Sequence, residues 1–309
     1  MIDIYFKKYG SNELEVLKSP LAGCWINIVD PNPGELKEIS TNFDIPVEFL
    51  HASLDEDEQA RFDHDDASGT VLVILKVPDK GKDEIEPATL GVILNKKYIF
   101  TVSKVETKVI HALAQGPKNF YTTKQTRALL QLMWFVVEAY ISHLDEIDRK
   151  TNALSDQIRY SLGNDEVFRL LAIQKTLTYF KSATQGNQKL LQKISGGKHL
   201  KLYEADAEFL DDIVVENNQA IILIDTYLDI LTNTMDAHAS IVSNNLNVIM
   251  KVLTVVNIVM AIPMIVSGFY GMNVIIPFQN HPMAFLFTIL LGFIPAVLVL
   301  IILHKIRWI

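Results

Sequence analysis

Hydrophobic and polar positions change rhythm twice along the 309 residues. In the first part, short apolar runs alternate with turn signals. Residues 24–29 form an apolar strand closed by Asp30-Pro31-Asn32-Pro33-Gly34, and 70–77 is a nearly unbroken β-branched run that suits a central strand. Residues 91–94 and 98–102 flank Asn95-Lys96-Lys97 and predict a hairpin. Helical spacing falls between these strands, over 35–43, 46–54 and 108–115. Residues 1–117 therefore predict an α/β domain.

After Gly116-Pro117 the apolar period lengthens to three and four. It runs over 123–161 and 165–194, with breaks at Leu162-Gly163-Asn164 and Gly196-Gly197. Two long helices with a short join predict an antiparallel hairpin over 118–202. A third pattern starts near Tyr203 and meets no Pro or Gly before Pro263. Phe209, Ile213, Ala220, Ile224, Tyr227, Leu231, Met235, His238 and Val242 step by three or four, apart from one seven-residue gap after Ile213. One helix from there to Tyr270 would be on the order of 100 Å long at about 1.5 Å per residue. Such a helix needs copies of itself as packing partners. The competing arrangement breaks it near Ser243-Asn244-Asn245, leaving a soluble helix and a separate membrane helix.

The last part is apolar throughout. No Asp, Glu, Lys or Arg lies between Lys251 and Lys305. Residues 252–270 and 283–303 are each long enough to cross hydrocarbon, which takes roughly 20 apolar residues in a helix. The expected order is a stalk over 203–246, a first span over 247–271, a loop over 272–282, a second span over 283–303 and a basic tail over 304–309. Lys251 flanks the first span and His304, Lys305 and Arg307 follow the second, while the loop is uncharged. Positive flanks stay cytoplasmic, so both termini and the large soluble part are expected inside the cell membrane.

Charge separates the two halves further. Of 28 Lys and Arg residues only three follow Asp236, and none of the 36 Asp and Glu residues does. The soluble part thus holds 25 basic and 36 acidic residues, which disfavours nucleic acid and suits cations. A lone Cys24 excludes an internal disulfide and fits a reducing compartment. Met1-Ile2-Asp3-Ile4-Tyr5-Phe6-Lys7-Lys8 does not read as a signal peptide.

Two apolar helices cannot enclose a hydrophilic path, so transport would need several subunits. In the first span Asn247, Met250, Thr254, Asn257, Ala261, Met264 and Gly268 recur at three and four and share one face, while Val252, Val255, Val256, Val259 and Ile262 fall largely elsewhere. Polar side chains in hydrocarbon usually face an interior or a watery cavity. They also glue helices together, and spacing alone leaves both readings open. The second span has Thr288 as its only hydroxyl and reads as the lipid-facing partner. Pro263 is expected to kink the first span or distort its hydrogen-bond ladder.

Tyr270-Gly271-Met272-Asn273 could be a plain helix stop. Following one apolar segment, with a second near the C-terminus, it resembles the signature of the CorA-type family of divalent-cation transporters. Met250-Lys251-Val252-Leu253-Thr254 and Ser243-Asn244 strengthen the likeness, which covers nearly the whole chain. The resemblance implies a homopentamer with five first-span helices around a Mg²⁺ path, and a filter of Gly271, Met272 and Asn273 whose Asn forms a ring at the outer mouth. It implies an apolar constriction at Met250 and Leu253, and pore-lining places for Asn247, Thr254, Asn257, Ala261, Met264 and Gly268. It also implies regulatory Mg²⁺ held between neighbouring cytoplasmic domains. By position relative to the motif, Asp212 with adjacent Asp211 corresponds to the stalk carboxylate. Ala52 stands at the usual acidic partner position, and Asp55-Glu56-Asp57-Glu58 is the nearby substitute; a solvated acidic surface accounts for that run equally well. The loop 274–282 lacks the carboxylate that many relatives carry there.

Three other functions compete. A zinc transporter of the same superfamily would share the architecture, but Zn²⁺ prefers Cys and His, and the proposed face has neither at its centre. Mg²⁺ is therefore favoured, with Co²⁺ or Ni²⁺ as surrogates. A membrane-anchored signalling protein would not need the polar stripe. An enzyme is least supported, since no nucleophile–base motif, glycine-rich phosphate loop or His/Cys metal spacing stands out.

Overall fold

The computed structural model describes residues 1–309 except 12, 81–84, 118–119, 159–164, 198–199, 201, 307 and 309. Among the described residues it divides into two compact units, Met1–Asn233 and Thr234–Ile309. The first unit is built on a seven-stranded sheet. Its strands are β1 (Ile2–Phe6), β2 (Glu15–Leu17), β3 (Trp25–Val29), β4 (Arg61–Asp65), β5 (Thr70–Lys80), β6 (Ile85–Leu94) and β7 (Ile99–Ser103). They lie in the order β2-β1-β3-β7-β6-β5-β4. The β3–β7 pair is parallel and the others are antiparallel, so the hairpin expected around Asn95-Lys96-Lys97 joins β6 to β7. A buried chain of side-chain hydrogen bonds pins the parallel register: Trp25 Nε1 donates to Thr101 Oγ1 at 2.8 Å, and that hydroxyl donates to Asn27 Oδ1 at 2.8 Å.

Helices α1 (Pro33–Phe43) and α2 (Val47–Leu54) connect β3 to β4. The turn signal before α1 is also its cap. Asn32 accepts from the Gly34 and Glu35 amides, Glu35 reaches back to the Asn32 N–H, and Pro33 occupies the first turn, where no amide partner is needed. These helices bury Leu36, Ile39, Phe49 and Leu50 against Ile26, Ile28, Leu72, Ile74, Ile93 and Phe100 of the sheet. Cys24 lies in the same core, where burial pushes its thiol up from the ordinary value. The closest approach is at Gly91 of β6. A Cβ built there would lie 1.9 Å from Ser53 Oγ and 2.3 Å from Ser53 Cβ, so the α2–β6 contact requires glycine.

The helices α3 (Lys108–Ala114), α4 (Gln125–Ile158), α5 (Asp165–Ser195) and α6 (Glu204–Tyr270) follow. The expected join at Leu162-Gly163-Asn164 lies outside the described residues. After α5, Gly197 adopts φ +69°, a left-handed stop that glycine takes without strain. Tyr140 of α4 donates its hydroxyl to the Lys76 carbonyl at 3.1 Å, and Asn187 of α5 bonds both the N–H and the carbonyl of Lys76. The hairpin is thereby fixed on the backbone of β5.

α6 is one continuous helix, so the alternative break near Ser243-Asn244-Asn245 does not occur. Within the first unit its inward stripe is Leu210, Ile213, Asn217, Ala220, Ile224 and Leu231, all at most 1% exposed. The seven-residue gap in the apolar pattern is filled by Asn217. Its Nδ2 donates to the Thr184 carbonyl at 3.1 Å and to Gln188 Oε1 at 2.7 Å, while its buried Oδ1 has no partner among the described residues. Lys181–Asp225 at 2.8 Å and the Arg127 guanidinium 4.1 Å over the Phe209 ring add contacts with α5 and α4.

Three strands fall outside the runs expected from the sequence. β1 and β2 are short edge-side strands, of five and three residues, without a long apolar run to mark them. β4, Arg61-Phe62-Asp63-His64-Asp65, is polar because it is an edge strand paired only with β5. The acids in and after it are engaged locally: Asp63 with Arg61, Asp66 with His64, and Asp65 with the Ser68 N–H and hydroxyl. The Ser68 bonds hold the Asp65 carboxyl below its ordinary range.

Candidate functional site

The second unit contains the rest of α6 and the helix α7 (Ala284–Lys305). Both are long and apolar enough to cross a membrane, with mean hydropathies of 2.3 and 3.0 in their most apolar windows. They meet at a small-residue contact. A Cβ on Gly292 would lie 3.2 Å from Pro263 Cα, and Gly292, Ala296 and Val255 are buried, Ala296 and Val255 at 3% and 6% exposure. Small residues let helix backbones approach closely where no hydrophobic driving force separates helix from lipid. Pro263, expected as a kink, sits inside a helix that stays continuous through it, with α7 packed on it.

That contact orients the polar stripe. Residues two apart on a helix point about 200° apart at 3.6 residues per turn. Val255 faces α7, so Asn257 points away from it, and Ala261 and Met264 continue on Asn257's side. Asn247, Met250, Leu253, Asn257, Ala261, Met264 and Gly268 are all exposed in the single chain, Met264 at 69%. A Cβ on Gly268 would meet nothing within 4 Å, the reverse of Gly292. Thr254 is half-buried and donates to the Met250 carbonyl at 2.7 Å, so its hydroxyl is satisfied within its own helix. The single chain thus leaves most of its first span exposed, Val252 and Val256 as well as the face that carries the amide and small residues.

At the end of α6, the Gly271 N–H bonds the Ser267 carbonyl at 2.9 Å and the Met272 N–H bonds the Phe269 carbonyl at 3.3 Å. The chain therefore leaves the helix at Gly271-Met272, and Asn273 follows exposed, with no side-chain hydrogen bond among the described residues. His281, Phe278 and Phe287 order the rest of the loop, which no sequence pattern disclosed because His is not among the usual helix-capping residues.

In the first unit, Asp211 and Asp212 lie side by side on the exposed face of α6. Asp55 ends α2 and accepts the Asp57 N–H at 2.9 Å, and Glu56 pairs with Lys104 at 2.8 Å. No hydrogen bond or ion pair among the described residues joins the two sets, and no group of three or more His, Cys, Asp or Glu residues there could hold a metal within one chain. Glu56, with Asp57 and Glu58, borders a cleft of about 890 Å³ between the end of α2, β5–β6 and α5. Lys76 reaches into it, donating to the Glu56 carbonyl at 2.7 Å and to Thr89 Oγ1 at 2.9 Å. Burial pulls the Lys76 ammonium below its usual range, opposed by Asp55, Asp57, Glu58 and Glu56 around it. The hydrogen bond and charge of Glu56 push Lys104 up. Glu56 is therefore already paired with Lys104 and Glu58 with Arg61, whereas Asp211 and Asp212 have no ion pair among the described residues.

A family model described as the CorA-like Mg2+ transporter protein matches residues 22–305. The chain belongs to that family. It is a membrane transporter of divalent cations, not an enzyme. The cobalt/magnesium transport protein CorA of Methanocaldococcus jannaschii is 27% identical over 292 residues, covering 92% of this chain and 91% of the relative. The complete structure of the CorA magnesium transporter from the same organism superposes with a TM-score of 0.88 at 25% identity, over 100% of this chain and 99% of that one. The α/β domain, the long helix and the two C-terminal helices are thus the architecture of that transporter. The cytoplasmic domain of ZntB from Vibrio parahaemolyticus superposes with a TM-score of 0.63 at 12% identity, over 78% of this chain and 98% of that one, which shows a shared fold alone.

Proposed function

We propose that this CorA-family chain assembles as a homopentamer in the cell membrane and conducts hydrated Mg²⁺, with Co²⁺ or Ni²⁺ as surrogates, along a path lined by the uncovered face of α6. The observation that carries the reading is the orientation of that face. α7 packs on Pro263 and Val255 is buried, whereas Asn247, Asn257 and Gly268 are left exposed and without a partner in the single chain. Copies of α6 facing one another would close a path with amide oxygens and small residues, with Met250 and Leu253 as an apolar constriction able to block ions by dewetting. Both termini would be cytoplasmic. The name of the Methanocaldococcus jannaschii relative, a cobalt/magnesium transport protein, supports the choice of ions.

Gly271, Met272 and Asn273 would form the filter at the outer mouth. Mg²⁺ dehydrates reluctantly and prefers octahedral oxygen. Exposed amide oxygens of Asn273 can accept hydrogen bonds from its water shell without stripping it. The zinc reading is weaker, because this face carries no Cys or His. The test is uptake into proteoliposomes under competition. Mg²⁺ flux should be reduced by excess Co²⁺ and little affected by equimolar Zn²⁺; preferential Zn²⁺ uptake would reverse the assignment.

Regulation by internal Mg²⁺ is the second element of the proposal. Asp211 and Asp212 fit a hard cation, being two adjacent exposed carboxylates with no ion pair among the described residues. Asp55 and Glu56 fit it less well, since one is taken by a backbone amide and the other by Lys104. A cation bound at Asp211 and Asp212 would complete its shell with water and with groups from a neighbouring copy, bridging subunits. Neutralising both, Asp211→Asn with Asp212→Asn, should raise the internal Mg²⁺ needed for half-closure by about tenfold or more, on the order of 1.4 kcal/mol. Unchanged inhibition removes the site.

A further inference from the structure

The loop between the spans has no Asp, Glu, Lys or Arg, and His281 is its one imidazole, a side-chain type that can take up a proton. His281 also holds the start of α7. Its Nδ1 accepts the Met283 N–H at 3.2 Å and its carbonyl accepts the Ala284 N–H at 2.9 Å. The first amides of a helix have no partner inside it, and these two bonds supply one for each. The imidazole lies edge-on to Phe287, centroids 6.0 Å apart, and Phe287 stacks on Phe278 at 6.1 Å. Phe278 sits at φ +64°, a left-handed conformation that a bulky residue adopts only when its surroundings impose it. The His281 N–H donates to the Phe278 carbonyl at 3.0 Å, so the strained turn and the start of α7 are fastened by the same residue.

The bond from Met283 requires an unprotonated Nδ1, which places the ring proton on Nε2. A proton on Nδ1 would set two donors face to face. The cap and the imidazolium therefore exclude one another. The elements packed on the ring are the loop and the first turns of α7, and neither carries another titratable side chain before His304; on α6 the nearest is Tyr270.

We propose that His281 is a proton-operated latch on the loop between the spans. Unprotonated, it closes the loop onto α7; protonated, it releases the Met283 amide and places positive charge there. That the loop flanks the mouth of the conduction path rests on the function proposed above, and there the released state opposes cation entry.

The test pairs two readouts on the full chain in proteoliposomes or nanodiscs, comparing wild type with His281→Asn. The Asn amide oxygen accepts the Met283 N–H as Nδ1 does but does not titrate. Between external pH 7.5 and 5.5, the wild type should lose about fivefold protection of the Met283 amide against hydrogen exchange, after correction for intrinsic rate, as one net hydrogen bond of ~1 kcal/mol predicts. Its Mg²⁺ uptake should fall by a similar factor. His281→Asn should keep both. Equal loss of protection in the two proteins overturns the latch. Divergent protection with coincident uptake profiles overturns its control of transport. The exchange readout needs no flux, so it reports on the latch even if the transport reading fails.

Discussion

Asn273→Ala is expected to abolish Mg²⁺ uptake while leaving the protein folded and its assembly unchanged. The side chain is exposed at the end of the α6 turn and has no hydrogen bond among the described residues, so its removal strands no buried partner. The turn before it is made by backbone bonds from Gly271 and Met272, which alanine at position 273 does not touch. Loss of function with intact structure would therefore come from the missing acceptor. In a pentamer the substitution removes five amides at once. Each hydrogen bond contributes roughly 1 kcal/mol net, and a tenfold change needs only about 1.4 kcal/mol. Uptake should fall well beyond tenfold. Flux assays in proteoliposomes, with light scattering to confirm the same assembly mass, decide the matter. Normal uptake by the folded variant would refute the filter assignment.

The largest expected effect on stability lies in the first unit, at Gly91. Ser53 is fully buried and donates its hydroxyl to the Phe49 carbonyl at 2.7 Å, so it cannot rotate away without leaving that bond. Gly91→Ala would place a methyl group 1.9 Å from its oxygen and 3.1 Å from its Cα. α2 must then lift from β6, at the overpacking cost of about 1–3 kcal/mol or more. In a unit of this size the melting temperature falls by roughly 2–4 °C per kcal/mol. Adding Ser53→Gly removes the two closest atoms, so the double variant should melt above Gly91→Ala alone. A double variant that melts lower still would place the conflict elsewhere.

What the sequence disclosed follows from where burial is one-sided or complete. The spans were legible because the run from residue 252 to 304, free of Asp, Glu, Lys and Arg, is long enough to cross hydrocarbon twice and too apolar to leave in water. Strands β3 and β5 were legible because central strands are apolar on both faces. β4 was not, because an edge strand with only β5 beside it keeps Asp63, His64 and Asp65 in contact with water and shows no apolar alternation. For the acidic run at Asp55–Glu58 the sequence left a cation site and a solvated surface equally open, because Lys76 and Lys104, which approach Glu56, are distant in sequence. The polar face of the first span follows from spacing, but which side α7 covers is decided only by the Gly292–Pro263 contact. The capping role of His281 was hidden because it depends on a loop conformation, with Phe278 at positive φ, that no periodicity encodes.

Asn217 limits how the long helix can move against its own hairpin. It is the one amide in an otherwise aliphatic seam, and its donors find the Thr184 carbonyl and Gln188 at only one axial setting. Travel of α6 by a single turn, about 5.4 Å, would part that amide from its present partners, and polar groups left unpaired in the seam cost roughly 1–3 kcal/mol each. Lys181 and Asp225 would part in the same stroke. A piston stroke of α6 against its own hairpin is thereby disfavoured.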